Sequence, residues 1–153
     1  MTSTQAREIT TIEELVQLSS LVDIRPYEFA GRVAAAPAAD VEDPIFQLSY
    51  SQRTEPTELE DRFLFHTRTA DAEYVVELGA VYQLAEECAV PEAIRVDFAE
   101  RIGFMVIFPL VRELLSSAGS RLHRNAPLLN FVRPGDVKIE WPGAEDTSTA
   151  EAG

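Results

Sequence analysis

The chain has 153 residues, the length of one domain and enough for a single core. Its 26 acidic residues stand against 13 basic ones, a net charge of −13 that argues against nucleic acid or an anionic membrane surface as partner. The single cysteine, Cys88, leaves no internal disulfide and suits a reducing compartment. Residues 1–9 are polar, without the apolar core of a signal peptide, so they are expected to be loose and the chain cytoplasmic.

Thr11-Ile-Glu-Glu14 has the form of a capping box and predicts a short amphipathic helix through Ile12, Leu15, Val16 and Leu18. Ser20 to Val33 reads as a strand broken by Pro26, which fits an edge or bulged strand. The stretch 34–44 carries two prolines and reads as a loop. Ile45 to Gln52 alternates, with Phe46, Leu48 and Tyr50 on one side. An acidic turn, 53–61, leads to a strand over 62–69 that puts Phe63, Phe65 and Thr67 on one face. A short link predicts a hairpin into the longest strand, Tyr74 to Leu84. There Tyr74, Val76, Leu78, Ala80, Tyr82 and Leu84 share a face opposite Val75, Glu77, Gly79, Val81 and Gln83.

The dominant feature is the ten-residue apolar run from Ile102 to Val111. It is too short for a bilayer, which needs about 20 such residues. Pro91-Glu92 before it and Gly119 with Arg121 after it predict a helix over 92–118. Pro109 lies inside, so a kink is expected near 105–109. Ile94, Phe98, Ile102 and Met105 form one side of this helix. Phe104, Ile107, Val111, Leu114 and Leu115 form another, which is assigned to contact with a second copy because one sheet covers only one side. The tail, 134–153, reads as a short extended piece followed by disorder. These elements predict an α+β fold: a four-stranded antiparallel sheet, read as a meander, packed against a long kinked C-terminal helix.

No catalytic constellation emerges. His66, His123 and Cys88 lie in three separate elements, so a metal site is not expected, and no phosphate loop or nucleophile elbow is present. Neither a cofactor nor an enzymatic activity is expected. Aromatic sheet surface beyond the reach of the chain's own helix could instead accept extended apolar peptide segments. A small-molecule-binding domain, with its cleft between sheet and helix, is the alternative of another class.

Ile107-Phe-Pro-Leu-Val-Arg-Glu113 resembles the helix signature of the SecB export chaperones. Ser120-Arg121 and the Pro127…Asn130-Phe131 ending resemble that family's downstream segments, and Tyr74-Val-Val-Glu-Leu-Gly-Ala-Val-Tyr82 resembles its long fourth strand. The resemblance covers residues 20–133, leaving 1–19 as an added polar segment and short helix. It implies an ATP-independent holdase, a homotetramer built as a dimer of dimers, that binds unfolded preproteins and passes them to the SecA motor. By this resemblance Phe46, Leu48, Tyr50, Tyr82 and Leu84 are candidates for client contact, and Asp23, Val75 and Glu77 for SecA contact. Glu28 matches only if one residue is inserted around Pro26. Val132-Arg-Pro-Gly135 blocks the family's second C-terminal helix. That departure leaves room for the SecB-like chaperones of toxin–antitoxin modules, whose client is a single antitoxin.

Overall fold

The computed structural model describes residues 5–35 and 45–125. The proline loop around Pro37 and Pro44, the Asn130-Phe131 ending and the 134–153 tail lie outside the described residues. In chain order the elements are β1 (Arg7–Glu8), α1 (Ile12–Leu18), β2 (Ser19–Val33), β3 (Ile45–Glu55), β4 (Glu58–Arg68), β5 (Ala72–Leu84) and β6 (Cys88–Ala89). One long helical stretch follows: α2 (Glu92–Phe98), a π-helical turn (Ala99–Gly103) and α3 (Phe104–Arg121).

The antiparallel sheet and long helix are as the periodicities predict. Only β3, β4 and β5 form a meander, however; the sheet order is β2-β5-β4-β3, so β2 crosses to the far edge. The result is a Greek-key connection with β2 and β3 as the two edges. β2 is the bulged edge strand that Pro26 demands. Its register against β5 shifts between Leu21 and Asp23 and again between Pro26 and Glu28, leaving Val22 and Tyr27 as extra residues. The expected acidic turn is shorter than 53–61, because β3 and β4 pair down to Glu55 opposite Glu58.

The inner face of β5 is buried along its length, including Tyr74, Val76, Leu78, Ala80, Tyr82 and Leu84. Phe63, Phe65 and Thr67 on β4 line the same face. The long helix lies across it diagonally. Phe98 meets Tyr82 edge-on at 5.0 Å, Phe104 lies 5.9 Å from both Phe63 and Phe65, and Ala118 and Leu122 close over Gly31 of β2.

This packing turns toward the sheet the helix side assigned from the sequence to a second copy, together with Phe98 of the other side. Phe104, Ile107, Val111 and Leu115 are at most 3% exposed within the single chain, and Leu114 is half-buried. They face the chain's own sheet, so their burial needs no second copy. Ile102 and Met105 on the opposite side stay half-buried. Glu92 to Arg121 is long and apolar enough to cross a bilayer by length and composition, but its apolar side is the lid of this core.

The helical irregularity also lies elsewhere than Pro109. Pro109 is exposed, and the hydrogen-bond ladder loosens about two turns earlier, at Ala99–Gly103. The cause faces it from the sheet. Asp61 on β4 is fully buried, and its Oδ2 approaches to 2.6 Å from where a Cβ on Gly103 would sit. Asp61 Oδ1 accepts from the Tyr50 hydroxyl at 2.8 Å and from Gln52 Nε2 at 2.7 Å, while Oδ2 has no partner among the described residues. Nor does the helix stop at Gly119. It ends in a Schellman motif, with Arg124 N–H donating to Gly119 O and His123 N–H to Ser120 O, and His123 takes the left-handed φ of 55°.

Two outcomes follow from the Asp61 contact. Ala in place of Gly103 gains about 1 kcal/mol of helix propensity in an ordinary helix. Here Gly103→Ala is expected to destabilise by about 1–3 kcal/mol through overpacking, read as a lower denaturant midpoint. Burial pushes the Asp61 carboxyl from 3.8 up to about 6. Above pH 6 the folded state carries a buried carboxylate; as pH falls through 6 it binds a proton that the unfolded chain does not yet hold. Asp61 therefore contributes more to stability toward pH 4 and less toward pH 8. Asp61→Asn is expected to melt higher than the parent at pH 8, by about 2 kcal/mol, with the gap closing by pH 4. Parallel thermal melts across that range check it.

Candidate functional site

Antiparallel register places Phe46 opposite Thr67, Leu48 opposite Phe65 and Tyr50 opposite Phe63, all on the helix-facing side of the sheet. The diagonal helix leaves this corner uncovered. Phe46 is 44% and Leu48 37% exposed, large apolar side chains on the inner face of an edge strand. Behind them the aromatic packing is continuous: Tyr50 lies 5.1 Å from Phe63, and Phe104 stacks on Phe108 at 5.3 Å. Arg112 sets its guanidinium 5.9 Å from the Phe108 ring at the rim. An apolar strip with a structured floor and a cationic rim results, open along the β3 edge among the described residues.

Tyr50 closes the inner end of the strip. Its ring faces the strip, and its hydroxyl is spent on Asp61. Burial, then the Asp61 charge, pushes this phenol far above its ordinary range, so it stays a neutral donor. Tyr82 and Leu84 do not join the strip. They are 3% and 4% exposed on β5, two strands away, inside the core. Burial raises the Tyr82 phenol as well, and its hydroxyl has no hydrogen-bond partner among the described residues. Leu84 instead lines a cavity of about 420 Å³ between the β3–β4 turn, β6 and the start of α2, together with Pro56, Leu59, Val90 and Arg95. Phe108 and Arg112 escaped the sequence reading as strip residues. Their signal was helical phase relative to Phe104, usable only once the inward side of the helix is known.

A second apolar edge lies across the molecule. Leu21, Val22, Tyr27, Phe29 and Val33, all on β2, are each at least 40% exposed.

The outer face carries charge. Register gathers Asp23, Val75 and Glu77 there, and the Tyr27 bulge brings Glu28 directly opposite Glu77. Arginines interleave with the acids. Arg62 is ion-paired to Glu77, Arg25 lies 3.4 Å from Asp23, and Arg32 binds Glu73 at 2.5 Å. Glu60 is 5% exposed beneath Arg25 and Arg53 and accepts from the Tyr27 hydroxyl at 2.6 Å. The Arg62 guanidinium stacks 3.6 Å above the Tyr27 ring. Ion pairs cover much of this face. His66 belongs to it, with Nε2 2.5 Å from Glu73. Among the described residues no His, Cys, Asp and Glu group could hold a metal ion.

No protein-family model matches the chain. The SecB-like chaperone SmegB of Mycolicibacterium smegmatis (strain ATCC 700084 / mc(2)155) is 31% identical over 137 residues, covering 88% of this chain and 91% of that protein. Among solved structures, the Mycobacterium tuberculosis Rv1957 SecB-like chaperone in complex with a ChAD peptide from Rv1956 HigA1 antitoxin matches with a TM-score of 0.68. The identity is 21%, over 80% of this chain and 96% of that one, so this likeness speaks to the fold. The identity and coverage shared with the Mycolicibacterium protein reach further than fold: the chain belongs to the family of SecB-like chaperones.

Proposed function

We propose that the protein is an ATP-independent cytoplasmic holdase that captures extended apolar segments of an unfolded client along the β3 strip. The observation that carries this is the exposure of Phe46 and Leu48 on the core-facing side of an edge strand, above an aromatic floor. Such a place offers both things an extended chain can use: pockets for alternate side chains and a free row of main-chain groups. Burying each large side chain stabilises the complex by roughly 1.5–3 kcal/mol before ordering costs.

Among the unfolded chains that the strip accepts, one preferred, dedicated client is the reading favoured over delivery to general export. The solved relative of known client is bound to an antitoxin peptide. A docking surface for a basic motor needs unpaired acidic groups, whereas Glu77 and Asp23 already face Arg62 and Arg25. Delivery to SecA remains the second reading, carried by the gathering of Asp23, Glu28 and Glu77 on one face. Self-association belongs to the same proposal. The five exposed apolar residues of the β2 edge, together with the half-buried Met105, Val106 and Leu110 side of the helix, form the surface through which copies meet, as dimers or tetramers.

The double variant Phe46→Ser/Leu48→Ser tests the strip. It is expected to stay folded while melting a few degrees lower, since more than half of each side chain is covered, and to lose at least tenfold in affinity for a reduced, carboxymethylated unfolded protein. Unchanged affinity would overturn the site. Purified SecA discriminates the two readings: binding that Glu77→Lys abolishes supports export, and no binding supports the dedicated client.

A further inference from the structure

Of residues 1–9, expected to be loose, those described, 5–9, are seated. Arg7 and Glu8 form β1, parallel to Cys88 and Ala89 of β6, with Arg7 opposite Cys88. Arg7 N–H donates to Glu87 O at 2.7 Å and Ile9 N–H to Ala89 O at 3.0 Å. Ile9 is fully buried in the main core. The Arg7 guanidinium clasps Glu86 at 2.7 Å and Glu14 at 3.4 Å from the surface. The other side of β6 is held by the β3–β4 turn, where Cys88 N–H donates to Pro56 O at 2.9 Å.

Among the described residues β6 thus has one strand edge to offer, and the chain's own residues 5–9 occupy it. What they supply is extended backbone, two main-chain bonds and one aliphatic side chain. Those are the elements by which an extended apolar segment of an unfolded protein binds a strand edge. A two-residue parallel ladder is a weak hold by itself, and exposed ion pairs add little to it. Ala6 is moreover one wall of the 420 Å³ cavity that Leu59, Leu84 and Val90 line, so lifting the segment opens that cavity.

Resting on the chaperone reading above, we propose that residues 5–9 are a displaceable strap. They hold the strand edge of Cys88–Ala89 and the Ile9 socket until an extended client segment bearing an aliphatic side chain replaces them. Tethered directly to α1, the strap competes at high effective concentration and so sets a threshold that weak segments do not pass.

Arg7→Cys places a second thiol opposite the native Cys88, at a neighbouring-strand spacing of about 4.8 Å that a disulfide spans. The full chain carrying Arg7→Cys is titrated with a fluorescent, reduced and carboxymethylated unfolded protein, once oxidised and once with dithiothreitol. Oxidation is expected to weaken binding at least tenfold and reduction to restore it. A second variant, Arg7→Pro, removes the donor to Glu87 and the surface clasp without touching the core; it is expected to bind several-fold more tightly than the parent. Affinity indifferent to the disulfide, or unchanged by Arg7→Pro, would overturn the strap alone. A parent protein that fails to bind the unfolded probe would overturn the chaperone reading and the strap with it.

Discussion

One width mismatch governs this molecule. A helix with its side chains is about 10–12 Å across, whereas four strands about 4.8 Å apart present a face of roughly 15–20 Å. Glu92–Arg121 therefore covers the sheet along a diagonal, from Tyr82 and Asp61 at its start to Gly31 of β2 at its end. The corners it misses, Phe46 and Leu48 on β3 and Leu21, Phe29 and Val33 on β2, remain apolar because each belongs to the same alternating pattern that fills the core, whereas Val22 and Tyr27 are exposed as bulge residues. Exposure at these edges is thus a geometric consequence of laying one helix on a four-stranded sheet, and it supplies the apolar surface a holdase needs.

Local chemistry was readable from the residues. Alternation fixed the inward faces of β3, β4 and β5; Pro26 announced a bulged edge; Thr11 announced the cap of α1, where its Oγ1 accepts from Glu14 N–H at 3.2 Å. What escaped depends on contacts distant in sequence. An apolar run without a polar side gives no indication of which side meets the sheet, so the side carrying Phe104 reads as a contact with a second copy. The loosened turn at Ala99–Gly103 answers to Asp61 on β4, some forty residues earlier, whereas Pro109 is accommodated at the surface. Pairing of Arg7–Glu8 with Cys88–Ala89 left no periodic signature, since two residues are too few to show one. For the same reason Tyr82 and Leu84, aromatic and aliphatic on a long strand, could be placed on a face but not inside or outside the strip.

The two faces of the sheet divide the work. The inner one is apolar, covered at its centre and open at its edges. On the outer one, Arg53–Glu60, Arg62–Glu77 and Arg32–Glu73 join neighbouring strands, Arg25–Glu60 reaches from β2 across β5 to β4, and Arg25–Asp23 lies within β2. Such half-exposed pairs are worth little singly, about 0–1 kcal/mol each. Their larger effect is to leave that face without a single-sign field, which directs recognition toward the apolar side.

Amide hydrogen exchange, with and without a saturating unfolded client, addresses the central assignment most directly. Client binding along the open strip predicts added protection in 45–50 of β3 and on the flank of α3 near Phe108. Protection confined to the rest of the molecule, with β3 exchanging as fast as before, would contradict it.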